Sequence, residues 1–166
     1  MGYMSTDFPG FTPAQSDLLN HWRAQHQQGV PPTREQLDPG AIRAHLSEVS
    51  IVEVSTRGHA RFRLVGSGLR KVFGCDMRGK YLAELGRETY EVWSLGLAGA
   101  LGHERPAGGL IERDDETHAW LRLPLRKNAT GALVLCHDSL IPNARLRTEY
   151  DSEYNTSAIP PHNLAA

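Results

Sequence analysis

The stretch ARFRLVGSGL, residues 60–69, has the pattern that decides the fold of this chain. Phe62 and Leu64 alternate with Arg61 and Arg63, as expected for a strand whose two faces meet different surroundings. The glycines that follow end the strand, and the next apolar residues recur at helical spacing. The sequence therefore predicts a strand that passes directly into a short helix.

Patterns on both sides of this stretch predict an antiparallel sheet interrupted by helices. β-Branched residues at 49–54 predict a strand that forms a hairpin with residues 60–65 through the turn TRGH. Three more strands are expected later in the chain, at about 107–113, 118–126 and 132–136. Helices are expected at about 13–28, 38–47, 69–73, 81–85 and 88–101.

The first helix has a clear start and a narrow apolar face. Thr12 can cap it, Pro13 suits the first helical position, and Gln15 can reach back to the cap. Its apolar residues form one stripe, made of Leu18, Leu19 and Trp22. A helix with such a stripe must pack on another surface, either its own domain or a second copy of the chain.

The composition is that of one soluble domain without a nucleic-acid or membrane partner. The 166 residues include 18 basic and 19 acidic residues, giving a formal charge of −1, too balanced for a general attraction to nucleic acid or anionic lipid. No stretch approaches the roughly 20 apolar residues of a membrane span, and the N-terminus lacks a signal-peptide pattern. Two distant cysteines fit neither a disulfide scaffold nor a zinc site, so we expect a cytoplasmic protein.

Four regions are expected along the chain. Residues 1–11 are typical of a flexible leader, and residues 142–166, where apolar residues are sparse, of a loose C-terminal tail. Residues 12–47 form an N-terminal helical extension. Residues 48–141 contain the predicted sheet and the helices between its strands.

The element order and several motifs resemble a PAS domain, in particular a proteobacterial stand-alone PAS family. Residues 60–69 resemble the second-strand signature of that family. Gly74 and Gly79 match its two-glycine spacing, and LPL at 123–125 matches its fourth strand. Further matches are Trp22, PPTR at 31–34 and the Asp38–Pro39 pair.

The resemblance implies a fold and a general role, but it names no ligand. It implies an α+β domain with a five-stranded antiparallel sheet in the order 2-1-5-4-3 and helices on one face. It also implies a pocket between the sheet and the longer helix, and frequent dimerisation through the N-terminal helix. PAS domains bind haem, flavin, small metabolites or nothing, so the fold alone does not give the function.

A ligand pocket would lie between the sheet and the helix predicted at 88–101. Its candidate lining residues are Phe62, Tyr90, Trp93, Leu97, Leu121 and Leu123, which could instead simply fill the core. Its candidate polar anchors are Arg63, His118 and Arg122, although Arg63 and Arg122 could instead simply line the open side of the sheet. Strand alternation puts the two groups on opposite faces, so a pocket that uses both requires a bulge. Pro124 could mark such a bulge, or simply a stretch beyond the end of the neighbouring strand.

The sequence argues against haem, photoactive flavin and a metal site. The resemblance places Leu82 where light-sensing PAS domains have their reactive cysteine, and the helix at 88–101 has no histidine to ligate haem. Cys136, His137 and Asp138 are consecutive in a strand and cannot converge on one ion. No nucleophile motif is present, so we predict no catalytic residue and no enzymatic activity. The cofactor, where one exists, is not specified.

The sequence therefore predicts a cytoplasmic sensory or regulatory module. It would bind a small ligand, a signalling protein partner or both, and would signal through that partner or through rearrangement of a dimer. The expected homodimer interface consists of Leu18, Leu19, Trp22 and Trp120, because large aromatic residues dominate interface energetics. The main alternative is a ligand-free homodimerisation module, and a small enzyme is a remote one.

Overall fold

The sheet forms as the sequence predicts. In the computed structural model, which describes residues 9–145, five strands form one antiparallel sheet in the order 2-1-5-4-3. The strands are β1 (Val49–Ser55), β2 (Ala60–Val65), β3 (Ala107–Glu112), β4 (Glu116–Pro124) and β5 (Gly131–Pro142). The predicted α+β class and strand order are confirmed. Most of the predicted leader and of the predicted C-terminal tail lies outside the described residues.

Helical segments precede the sheet and connect its second and third strands. The α-helices are α1 (Pro13–Gln25), α2 (Leu69–Phe73), α3 (Arg87–Ser94) and α4 (Leu97–His103). Two 3-10 turns occur at Arg43–Glu48 and Leu82–Glu84. Over residues 9–145, no helix has the length and apolar character needed to cross a membrane.

The start of α1 follows from its capping residues. Thr12 Oγ1 accepts a hydrogen bond from the Gln15 N–H at 3.1 Å, and the Gln15 side chain accepts one from the Phe11 N–H at 3.0 Å. These two bonds satisfy backbone donors that have no partner inside the helix. The helix ends at Gln25, somewhat earlier than the predicted end near Gln28.

The helix predicted at 38–47 is wrong. Asp38 Oδ1 accepts a hydrogen bond from the Gly40 N–H at 2.8 Å, which closes a local turn where an α-helix was expected to start. The segment contains only the 3-10 turn at Arg43–Glu48. The turn leads directly into β1.

The long helix predicted at 88–101 is broken into α3 and α4. Gly96 separates them with a φ of 74°, in the left-handed region that favours glycine. A Cβ at this position would lie 2.4 Å from the Trp120 ring. Only glycine therefore lets the chain turn here while the backbone approaches the sheet so closely.

A bulge in the first hairpin changes the predicted facing of β2. Ile51 pairs with Leu64 and Val52 pairs with Phe62, so the register skips Arg63. Phe62 and Leu64, predicted to share a face, therefore point to opposite faces of the sheet. Pro124, the predicted bulge position, stays in register with Val134.

One face of the sheet, here called the helical face, packs against α2, α3 and α4. Its apolar cluster includes two aromatic rings, Phe62 and Trp93, with centroids 4.7 Å apart and nearly perpendicular planes. The other buried members are Val52, Leu69, Val72, Met77, Leu82, Leu97, Val134 and Cys136. This cluster is the core between the sheet and the helices that follow β2.

The opposite face, here called the α1 face, is covered by the N-terminal segment. The apolar stripe of α1 packs onto it, and the Trp22 Nε1–H donates a hydrogen bond to the Pro124 carbonyl at 2.7 Å. The buried cluster consists of Leu18, Leu19, Trp22, Leu37, Ile42, Val49, Leu121, Leu123, Leu125 and Leu135. Both faces of the sheet are therefore covered within one chain.

Candidate functional site

The structure divides the predicted pocket residues between the two faces. Phe62, Trp93 and Leu97 lie together in the cluster on the helical face. Leu121 and Leu123 are buried on the α1 face instead, because strand alternation turns them away from Trp93. Tyr90 is 44% exposed on α3 and belongs to neither cluster.

The predicted polar anchors and interface residues are also separated. Arg63 is on the surface, where two hydrogen bonds of 2.8 and 3.0 Å join it to the Glu53 carboxylate. His118 and Arg122 are fully buried on the helical face. Trp120 shares that face with them, opposite Trp22, so these two tryptophans do not form one surface.

Three buried polar side chains form a charged network on the helical face. Arg122 bonds both carboxylate oxygens of Asp138, at 2.9 and 3.1 Å, and His118 Nε2 lies 2.8 Å from Asp138 Oδ1. All three side chains are fully buried. β4 and β5 position them, since Arg122 pairs with Cys136 and Trp120 pairs with Asp138 in the strand register.

The electrostatics of this network favour a charged carboxylate. Burial alone would raise the pKa of Asp138, but attraction to Arg122 and the hydrogen bond with His118 hold it below its usual value. Cys136 lies next to this network, and burial raises the pKa of its thiol to about 12. Cys136 is therefore a poor nucleophile at neutral pH.

Aromatic rings enclose the network on the helical side. The Arg122 guanidinium lies over the Trp93 ring at 4.7 Å and over the Trp120 ring at 5.4 Å from the centroids. The Phe73 ring meets the His118 ring edge-on at 5.5 Å. Within residues 9–145, Trp93 Nε1 and Arg122 Nε are buried donors without an acceptor.

A cavity of about 680 Å³ adjoins the network. It lies between α2, α3 and the end of β3, and Phe73 forms part of its wall. Its other lining residues are Val72, Glu88, Thr89, Glu91, Val92, Leu95, Ile111 and Arg113. The volume is within the usual range for small-molecule sites, and five of the nine lining side chains are apolar.

Arg113 connects the cavity to the buried network. Its Nη2 lies 3.3 Å from Nδ1 of His118. Arginine only donates hydrogen bonds, so Nδ1 must be the accepting nitrogen and Nε2–H must donate to Asp138. A ligand that binds Arg113 would therefore change the contact between Arg113 and His118.

Sequence reasoning missed Asp138 as the centre of this network and Arg113 as its link to the cavity. Asp138 was considered only as a member of the Cys136–His137–Asp138 run. One signal was available, because Asp138 follows Cys136 by two residues and so shares its face in a strand. No comparable signal marked Arg113, which stands just after the end of β3.

Helices cover one face of a five-stranded antiparallel sheet in the order 2-1-5-4-3, which is the arrangement of a PAS-like α+β fold. The family model described as a PAS domain matches residues 11–92. The match starts at α1 and runs into α3, and β3, β4 and β5 complete the sheet beyond it. The matched residues are similar to a PAS domain, and the strand order 2-1-5-4-3 is consistent with a PAS-like α+β fold. No curated protein matches the chain.

The family match indicates a general role for the matched region. PAS domains act as sensory or regulatory modules and commonly mediate interactions between proteins. They are typically not enzymes. Assignment to a proteobacterial stand-alone branch stays a prediction.

Proposed function

We propose that this chain is a cytoplasmic PAS-type sensor that binds a small molecule in the cavity between α2, α3 and β3. One observation carries the proposal: the cavity contacts a buried charged network through Arg113 and Phe73. Apolar packing alone would hold the sheet and helices together more simply, since a buried ion pair is often no more stabilising than apolar residues of similar volume. The network therefore suits a site whose state changes.

The unpartnered donors beside the network give further support. A buried donor without an acceptor costs about 1–3 kcal/mol. Trp93 Nε1–H and Arg122 Nε–H are two such donors within the described residues. The Arg122 guanidinium lies over the Trp93 ring, and the centroid of that ring is 4.8 Å from that of Phe73 in the cavity wall. Movement of α3 on ligand binding would change the surroundings of Trp93, which α3 carries.

The output would pass to a signalling protein partner or to a second copy of the chain. A homodimer through Leu18, Leu19 and Trp22 would require α1 to leave its own sheet and pack on the partner's, because these residues are buried within one chain. The alternative function, ligand-free homodimerisation, would take this form. The two free cysteines agree with a reducing, cytoplasmic location.

Native mass spectrometry of freshly purified protein, followed by denaturation of the same sample, tests the proposal. A sensor that retains its ligand shows extra mass that leaves on denaturation, and the ligand mass follows directly. A dimer without extra mass, unchanged after incubation with a metabolite extract, would support the homodimerisation module instead. A monomer without extra mass after the same incubation would contradict both functions.

A further inference from the structure

The charges around the cavity specify more than an apolar ligand. Arg113 contributes one positive charge, and only its Nη2 has a hydrogen-bond partner among the described residues, His118. The remaining N–H groups of this guanidinium can donate to a carboxylate in the fork geometry that arginine favours. The cavity therefore offers a site for one anionic group.

The same cavity carries an unpaired negative charge on α3. Glu88 has no hydrogen-bond or ion-pair partner among residues 9–145, whereas Glu91 is paired with Arg87 at 3.0 Å. A ligand with only a negative charge would meet Glu88 and Glu91 as well as Arg113. A ligand with only a positive charge would meet Arg113. A ligand with both charges can satisfy Arg113 and Glu88 together.

Apart from Thr89, the remaining walls are apolar. Val72 and Phe73 come from α2, Val92 from α3 and Ile111 from β3. Leu95, just after α3, is 43% exposed, although it is a large apolar residue. An apolar group on the ligand would cover these side chains and remove their surface from water.

We infer that the cavity binds a small zwitterion with an apolar body, such as an amino acid with an aromatic or aliphatic side chain. Its carboxylate contacts Arg113, its ammonium group contacts Glu88, and its apolar body covers Phe73 and Val92. The inference rests on the proposed function and adds the ligand class to it. Because the same guanidinium also contacts His118 Nδ1, a carboxylate bound to Arg113 links ligand binding to the buried network.

Three probes with the same phenyl body test the charge requirement: L-phenylalanine, 3-phenylpropanoate and 2-phenylethylamine. Each is titrated into ¹⁵N-labelled full-length chain, and affinities come from amide shifts. L-Phenylalanine should bind at least roughly tenfold more tightly than either single-charge probe, because a charge-assisted hydrogen bond contributes about that much. The shifts should map to α2, α3 and the end of β3.

Two variants assign the contacts. Arg113→Gln should remove the advantage of L-phenylalanine over 2-phenylethylamine, since neither then gains from a carboxylate contact. Glu88→Gln should remove the higher affinity of L-phenylalanine relative to 3-phenylpropanoate, since neither probe then gains from an ammonium contact. The matched controls are Arg105→Gln and Glu112→Gln, which change charges near β3 that do not line the cavity, and these should leave all three affinities unchanged.

The outcomes separate the ligand class from the proposed function. Equal affinity for the three probes, or a charge preference that persists in both cavity variants, overturns the zwitterion assignment. The same follows when a co-purified ligand proves to have one charge or none. No probe binding together with no co-purified mass overturns the sensor function itself.

Discussion

The two faces of the sheet are buried in different ways. The α1 face is filled mainly by aliphatic side chains and one tryptophan. Its buried polar pair is uncharged on one side, since the Gln15 amide lies 3.4 Å from His137 Nδ1, and His137 Nε2 is 3.3 Å from the partly exposed Glu48 carboxylate. The helical face also has an apolar cluster, but the Asp138, Arg122 and His118 network is buried beside it. This difference underlies the roles proposed for the two faces: the α1 face holds the fold together, and the helical face changes state when a ligand binds.

The two faces differ physically because apolar burial and ion pairing depend to different degrees on exact geometry. Apolar burial scales with the area removed from water and tolerates small shifts in packing. A buried ion network stabilises only while each charge keeps its partner, and removal of one partner leaves an uncompensated charge. Displacement of one member of the network therefore has a large effect that can be coupled to a ligand.

The largest expected loss of stability is that caused by Asp138→Asn. This substitution keeps the shape of the side chain but leaves the fully buried Arg122 without a counter-charge. The unfolding free energy should fall by about 3–5 kcal/mol, as for other broken buried pairs. Urea unfolding followed by tryptophan fluorescence measures it.

The exposed pair of Asp76 and Arg78 provides the control. Their side chains are 2.7 Å apart, and the hydrogen bond from the Arg78 side chain lowers the pKa of Asp76 to about 2. Water screens this pair, so Asp76→Asn should leave the unfolding midpoint unchanged within error. Equal effects at Asp76 and Asp138 would show that burial of the network has no special energetic role.

On the α1 face, Leu19→Ala should reduce the unfolding free energy by about 2–5 kcal/mol. Leu19 is completely buried, and truncation leaves a cavity under α1. This loss should leave the amide shifts induced by L-phenylalanine unchanged, because the cavity near Arg113 lies on the other face. An effect on those shifts would contradict the division of roles between the two faces.

Much of the fold could be predicted because its signals are local. The bounds of β2 follow from an alternating pattern that ends at two glycines, and the start of α1 follows from Thr12 and Pro13. The end of α2 follows from Gly74, which adopts the left-handed conformation with a φ of 72°. Each of these signals lies within a few residues of the element it defines.

The candidate site could not be predicted because it depends on distant contacts. The break at Gly96 is required by a close approach to Trp120, and the bulge at Arg63 depends on pairing with β1. Strand alternation correctly opposed Leu121 to Arg122, but it does not say which face the helices cover. The pattern favours Arg122 as a ligand anchor or as a residue on the open side of the sheet, although burial with an acidic partner is equally consistent with it.

The pH dependence of stability should also differ between the two faces. The pKa of Asp138 is lowered in the folded state, so its contribution is fully present above the unfolded pKa of about 4. That contribution is lost as the pH falls through the lower folded pKa. The stability difference between the wild type and Asp138→Asn should therefore shrink below about pH 4. The stability difference between the wild type and Leu19→Ala should stay constant in the same urea titrations, because this substitution changes no titratable group.

The smallest change in stability is expected when the whole network is made apolar. A triple variant, Arg122→Met with Asp138→Leu and His118→Leu, makes the helical face similar to the α1 face. Because no buried charge is left unpaired, its unfolding free energy should return close to the wild-type value, or above it. The same urea measurement would contradict this expectation by finding the triple variant as unstable as Asp138→Asn.

A triple variant that is stable, but in which L-phenylalanine no longer shifts amides of β4 and β5, would separate the two roles of the network. Such a result would mean that folding requires only side chains that fill the volume of the network. Transmission of ligand binding from the cavity to β4 and β5 would then require the charged side chains.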